Sequence, residues 1–213
     1  MKNIFQHLEG KRLIIMVIGN VIMGLGIAFF KLSLMGNDPF NGMNMALANV
    51  TGISYPVMQI LVNLLFLVLE FLFGRKYLGA GTVFNAFILG YIVTFFIWLF
   101  GGLFGSSLSI FVRVILVLTG TILAALGLSL YQQSDVGVSP YDSMAIILDE
   151  RIPKLPYFWC RMICDGSCAL VVILAGGIVG LGTIVTVFGM GPVVHFFDRA
   201  LTEKYIIKKK QRA

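Results

Sequence analysis

Long apolar runs separated by short polar breaks dominate the chain. Each run approaches the roughly 20 apolar residues that an α-helix needs to cross the hydrocarbon core of a bilayer. The predicted spans are 13–34, 55–73, 79–100, 108–132, 157–178 and 182–201. The pattern therefore predicts an all-α, polytopic membrane protein with six transmembrane helices, in which residues 1–213 form a single transmembrane domain.

Composition supports a lipid environment. Of the 213 residues, 58% are hydrophobic and 12% are charged, and the mean hydropathy is +0.93. A soluble domain of this size cannot bury so much apolar surface, whereas a bilayer can cover it. The formal net charge is +6, and the basic residues lie at the ends of the predicted helices. We therefore expect the lipid bilayer as a partner and no binding to nucleic acid.

The connections between the spans alternate in charge. Basic residues precede the first span and occupy the second loop, the fourth loop and the tail at 202–213, while the first, third and fifth loops carry none. Basic connections favour the cytoplasmic side of a membrane. The alternation therefore predicts that both termini are cytoplasmic and that 202–213 is a basic cytoplasmic tail.

An internal repeat relates positions 101 residues apart. Residues 12–47 and 79–96 contain 18 identities in 54 ungapped positions when they are shifted by this interval. The identities include turn-forming pairs such as Gly36 with Gly137 and Pro39 with Pro140. The sequence therefore predicts two repeats, at 12–100 and 113–201. Three spans per repeat would place the second copy in the opposite sense, which is the architecture of many secondary transporters.

Each repeat breaks after its first span at a Gly-x-x-Pro segment. Pro39 and Pro140 suit the first turn of a helix, and Asp38 and Ser139 before them suit N-caps. The apolar stretches that follow, 40–50 and 141–148, are too short to span a bilayer. We therefore predict a short half-helix after the first span of each repeat, whose free N–H groups could meet a bound solute.

Polar residues in these breaks and in the spans are the candidate binding residues. Asn41 and Asp142 occupy equivalent positions, and Asp165 lies mid-span one turn after Arg161, its candidate partner. The predicted substrate-binding set is Asn37, Asp38, Asn41, Asn63, Ser139, Asp142 and Asp165. For each of them, capping, ion pairing or helix–helix hydrogen bonding within the bundle is the alternative interpretation.

Three further groups of residues receive structural interpretations. Cys160, Cys164 and Cys168 share one face of the fifth span, where packing is favoured over a metal site because no His partner is nearby. Glu70 is expected to pair with Arg75 and Lys76 at the membrane interface. His195 is expected to pack. We predict no metal and no cofactor.

The paired pattern Gly-x-x-Pro-[Phe/Tyr]-[Asn/Asp], together with Gly182-Thr183 followed by Gly191, resembles the YczE/YitT family of bacterial integral membrane proteins. The resemblance extends from about 12 to 200, and its best-matching stretch is 137–142. It implies a multi-pass protein of the bacterial cytoplasmic membrane. It supplies no substrate.

These features predict a small secondary transporter with its site between the two Gly-x-x-Pro segments. The partner would be a small-molecule solute of unknown identity, with proton coupling and a homodimer left open. The alternatives are a substrate-binding subunit of a multi-component vitamin importer and a non-transporting scaffold or regulator. An enzyme is not expected, since no nucleophile–base pair or metal-ligand set is recognisable from spacing.

Overall fold

The chain folds into a bundle of α-helices. The structure, a computed structural model, describes residues 10–103, 108–155 and 157–199, and these contain eight α-helices, a 3₁₀ turn at Arg75–Tyr77 and no strand. The helices are α1 (Gly10–Ser33), α2 (Pro39–Thr51), α3 (Tyr55–Phe73), α4 (Ala80–Gly101), α5 (Ile110–Gln133), α6 (Pro140–Arg151), α7 (Tyr157–Leu174) and α8 (Leu181–Phe197). The predicted all-α class is confirmed.

Five of these helices are long and apolar enough to cross a membrane: α1, α3, α4, α5 and α7. They match the first five predicted spans, except that α7 ends at Leu174 instead of 178. The chain turns there because Gly176 adopts a left-handed conformation, with φ 68°. α8 has 17 residues and is also apolar, but it is shorter than the others. The predicted basic tail lies outside the described residues.

The two short helices, α2 and α6, begin at the prolines of the repeated motif. The Asp38 side chain accepts a hydrogen bond from Asn41 N, and Ser139 accepts one from Asp142 N. The turns before the two helices also share a backbone feature. Leu34 and Asp135, which are 101 residues apart, both have a φ of 56°. The predicted half-helices and their N-caps are therefore present in both halves of the chain.

α1 and α5 pack against each other along glycine-rich faces. A Cβ at Gly19 would lie 2.8 Å from the Gly127 carbonyl oxygen, and one at Gly26 would lie 2.7 Å from that of Gly120. The two contacts are equivalent in the repeat, because Gly120 lies 101 positions after Gly19 and Gly26 lies 101 positions before Gly127. Small residues permit such close backbone approach between membrane helices.

A second pair of equivalent contacts joins the motif turns to the last helix of the opposite half. Gly81 N donates to Val136 O and Gly182 N donates to Met35 O, both at 2.8 Å. The residues of the first bond map onto those of the second by the same interval. Each motif turn is thus anchored to a Gly-x-Gly-Thr helix start in the other half.

An exposed cluster ties the turn between α3 and α4 to the last turn of α6. The Lys76 ammonium and the Tyr77 hydroxyl both donate to Glu150 Oε1, and these bonds lower the pKa of Glu150. The stabilisation is present above the unfolded-state pKa of this carboxyl and is lost as the pH falls through its folded-state pKa. We expect Glu150→Gln to lower the melting temperature slightly at pH 7. Melting curves at several pH values should show this difference fading in acid and in high salt.

Candidate functional site

The N-terminal ends of α2 and α6 meet in the interior of the bundle. The ring of Phe40 on α2 stacks on that of Tyr141 on α6, with centroids 4.4 Å apart and an interplanar angle of 12°. These residues are mates in the 101-residue repeat. Their contact brings the two motifs, and the polar residues beside each ring, into one region.

Arg161 of α7 joins two buried aspartates in this region. Its Nη1 donates to Asp142 Oδ1 at 2.5 Å, and its Nε donates to Asp165 Oδ2 at 3.2 Å. The side chains of Asp142 and Asp165 are 10% and 6% exposed. Carboxylates at this depth need a cation, and the single guanidinium serves both. The predicted i, i+4 pairing of Arg161 with Asp165 is confirmed.

Neighbouring hydroxyls complete the surroundings of the two aspartates. Tyr141 donates to Asp165 Oδ1, and Ser139 donates to Asp142 Oδ2. Arg161 also lies over the Tyr141 ring, with its Cζ 5.0 Å from the centroid. The guanidinium, both carboxylates and both hydroxyls thus form one network, which fixes each charge in place.

Asp38 contributes a third carboxylate without a paired cation. Both of its oxygens accept from Asn41 Nδ2 at 3.0 Å, and the Asn41 side-chain oxygen accepts from the Tyr55 hydroxyl at 2.8 Å. Within the described residues no basic group forms an ion pair with Asp38, although Arg161 and Asp165 act on it electrostatically. Three aspartates around one arginine leave an excess of negative charge.

Two cavities meet at this network. The smaller, of about 60 Å³, is lined by residues of both motifs, including Asp38, Asn41, Ser139 and Asp142. Because one water needs roughly 10–15 Å³ of cavity, it has room for a few waters and is too small for a metabolite. The larger, of about 480 Å³, is within the size range of small-molecule sites.

The larger cavity lies between α7 and α8 and runs from the network to one end of the bundle. Asp38, Arg161 and Asp165 line its inner part, and Gln132 and His195 line its other part. Gln132 belongs to the last turn of α5 and His195 to the last turn of α8. The cavity therefore extends from the buried charges toward the end of the bundle where α5 and α8 end.

The helix corresponding to α7 in the first half is α3, at an interval of 102 residues. At this interval Met58, Asn63 and Glu70, all buried, fall opposite Cys160, Asp165 and Val172, also buried. Gln59 then falls opposite Arg161. The first half therefore carries the neutral residues Gln59, Asn63 and Asn41 where the second carries Arg161, Asp165 and Asp142.

α3 packs closely against α4, whereas the larger cavity separates α7 from α8. A Cβ at Gly90 of α4 would lie 2.8 Å from Gln59 Oε1 and 2.9 Å from Pro56 Cα of α3. Its repeat mate on α8, Gly191, lines the larger cavity, and a Cβ there would meet nothing within 4 Å among the described residues. Equivalent helix pairs thus hold different arrangements in the two halves.

The structure brings together five of the seven predicted binding residues: Asp38, Asn41, Ser139, Asp142 and Asp165. Asn37 instead points back into its own half, where its Nδ2 contacts Ile27 O and Met45 Sδ. Asn63 donates to Ala86 O on α4. Sequence reasoning left Tyr141 out of the site, and its place opposite Phe40 in the repeat was the available signal.

The expected interfacial pair of Glu70 with Arg75 and Lys76 is wrong. Glu70 is 0% exposed. The Arg75 guanidinium bonds to the Phe71 carbonyl, and the Lys76 ammonium bonds to Glu150. The helix ends at Phe73 and is capped by Gly74, so the two basic side chains extend along the surface while Glu70 faces the interior.

The three cysteines are free, and Cys160 and Cys168 are buried along α7. The part of the chain that the structure describes holds no group of three or more His, Cys, Asp or Glu side chains placed to bind a metal ion. His195 lies at the end of α8, beside the larger cavity.

Three bacterial relatives cover most of the chain. The uncharacterized protein YyaS of Bacillus subtilis is 25% identical over 198 residues, covering 92% of this chain and 96% of its own length. An uncharacterized protein of Haemophilus influenzae is 28% identical over 188 residues, covering 88% and 83%. The uncharacterized membrane protein YczE of Bacillus subtilis is 23% identical over 184 residues, covering 84% and 81%.

No solved structure is significantly similar to this chain. The similarity to YczE confirms the resemblance predicted from the paired motifs. Together with five apolar helices long enough to span a bilayer, it identifies a multi-pass membrane protein. A family profile covers residues 10–199, and the chain therefore belongs to the family of unknown function DUF6198.

Proposed function

We propose that the protein is a small secondary transporter that works by alternating access. In this proposal α8 is the sixth span, and the two three-span repeats have opposite orientation in the membrane. Both termini lie in the cytoplasm, as the charge of the connections predicts. The cavity between α7 and α8 then opens toward the cytoplasm.

The difference between the two glycine mates carries this proposal. Gly90 is closed against α3, while Gly191 faces an open cavity that leads to the buried charges. Two similar halves that hold different arrangements can exchange them, which would close the α7–α8 cavity and open a second one between α3 and α4. The central network would then face the opposite side of the membrane.

The charge of the network suggests what the solute carries. Asp142 and Asp165 share Arg161, but Asp38 has only amide partners and borders both cavities. Asp38 is half-buried, and a carboxylate in such a position without a cation is stabilised by a ligand that brings one. We therefore favour a small solute with a positively charged or hydrogen-bond-donating group directed at Asp38.

Replacing Asp38 with asparagine tests this site with little disturbance to the fold, because asparagine is an equally good N-cap. We expect a solute that stabilises the wild type in a thermal-shift screen of small metabolites to bind Asp38→Asn about 10–100-fold more weakly, as a charged hydrogen bond contributes roughly 1.5–3 kcal/mol. The same solute should be taken up by proteoliposomes that contain the wild type alone.

Asp135→Asn is the matched control, since Asp135 is exposed and asparagine tolerates its positive φ. It should bind and transport like the wild type. If stabilising solutes bind but uptake requires a co-purifying ATP-driven partner, the protein is an importer subunit. If no solute in the screen raises the melting temperature, the transport proposal fails and a scaffold or regulator is favoured.

A further inference from the structure

Glu70 is a fully buried carboxyl group that the proposed solute site does not use. It lies in the last turns of α3 on the face that also carries Asn63, and it is 0% exposed. Neither carboxyl oxygen makes a hydrogen bond of ordinary geometry within the described residues. The nearby basic residues of the 3₁₀ turn, Arg75 and Lys76, are bonded to Phe71 O and Glu150.

The groups that face Glu70 connect it to the central network. On α6, the Ser143 hydroxyl and the Asp142 carboxylate lie within electrostatic range of Glu70. From α5, the buried Tyr131 hydroxyl makes no hydrogen bond within the described residues but lies within electrostatic range of both Glu70 and Asp142. Ser143 follows Asp142 in the chain, and its hydroxyl donates to Pro140 O at 2.9 Å. α3 packs against α6, and Glu70 is thus close enough to Asp142 for the two carboxyl groups to interact electrostatically.

Electrostatics determine which form of Glu70 this position accepts. An ionised carboxylate without a cation is strongly disfavoured in a buried site, and a second carboxylate nearby disfavours it further. Arg161 forms an ion pair with Asp142, whereas no basic group of the described residues forms an ion pair or hydrogen bond with Glu70. Burial without a cation therefore favours the neutral carboxylic acid at Glu70, and a rearrangement of the nearby Asp142–Arg161 ion pair would change the field at this position.

We propose that Glu70 is a proton-binding site coupled to the solute site through Asp142. The inference rests on the proposed transport function and deepens it. When a cationic group of the solute competes with Arg161 for the aspartates, the field at Glu70 changes and its proton is held differently. Solute binding and protonation of Glu70 are then linked, and by reciprocity each changes the other.

Infrared difference spectra between the wild type and its Glu70 variants, each purified in lipid nanodiscs without a solute, test the protonation of Glu70 directly. We expect the wild type at pH 7 to show the C=O stretch of a neutral carboxylic acid that Glu70→Gln abolishes. Glu70→Asp, a second variant in case glutamine impairs folding, should shift this band. Glu150→Gln, which removes an exposed glutamate, should leave it unchanged. A band that survives in Glu70→Gln, or no band in the wild type, would overturn the assignment.

Uptake by proteoliposomes tests the coupling. Glu70→Gln should retain solute exchange while losing at least tenfold of the accumulation that an imposed pH gradient drives. If the variant loses the infrared band but keeps pH-driven accumulation, the coupling role is wrong. If the band behaves as expected and no preparation transports any solute, the protonated Glu70 stands and the transport proposal fails, so the two outcomes are distinguishable.

Discussion

Replacing Arg161 with glutamine should lower the free energy of unfolding by roughly 3–5 kcal/mol, because it leaves two buried carboxylates without their cation. Asp142 and Asp165 are both bonded to Arg161, and each is at most 10% exposed. Glutamine is also the residue at the corresponding position of α3, Gln59, so its size suits a position of this kind. Unfolding in detergent, followed by steric trapping or by a denaturant titration, would measure the loss.

The triple variant R161Q/D142N/D165N separates stability from function. It gives the second half the neutral set that the first half carries at Gln59, Asn41 and Asn63. We expect it to recover most of the stability lost in Arg161→Gln, because replacing all members of a buried ionic group costs far less than removing one. Solute-induced stabilisation and uptake should remain absent. A triple variant as unstable as the single one would contradict the view that unpaired charge causes the loss.

The positions of the helices along the chain were largely predictable from the sequence, because membrane helices need long apolar runs and these are easy to recognise. The half-helices α2 and α6 were predictable for another reason. A proline at the first turn, preceded by aspartate or serine, specifies a helix start locally. What the sequence could not provide was the path of side chains at helix ends, which is why Glu70 was expected to pair at the interface.

The correspondence between α3 and α7 was hidden by one additional residue in the second half. The 101-residue interval that holds for α1, α2 and α4 becomes 102 for α3, because α7 begins 17 positions after the start of α6 whereas α3 begins 16 positions after the start of α2. A connection tolerates such an insertion because few contacts depend on it. An ungapped comparison therefore placed Gln59 and Asn63 out of register with Arg161 and Asp165, and only the burial of the two helices aligns them.

Alanine at Gly90 and at Gly191 should have opposite consequences, although the two glycines are repeat mates. Both variants gain the same helix propensity. At Gly90 the new methyl would press on Gln59 and on the backbone of Pro56, so Gly90→Ala should be less stable than Gly191→Ala by about 1–3 kcal/mol. Melting temperatures of the two purified proteins would show the difference.

Gly191→Ala should instead impair transport while leaving the melting temperature at or above that of the wild type. Its methyl fits the open cavity, but it would obstruct α7 when that helix closes on α8 as α3 closes on α4. We expect uptake about tenfold slower, equivalent to about 1.4 kcal/mol against the closed arrangement. Binding of the solute to the open form should be unchanged. Normal uptake by Gly191→Ala would show that α8 does not close on α7, and alternating access by exchange of the two halves would then be untenable.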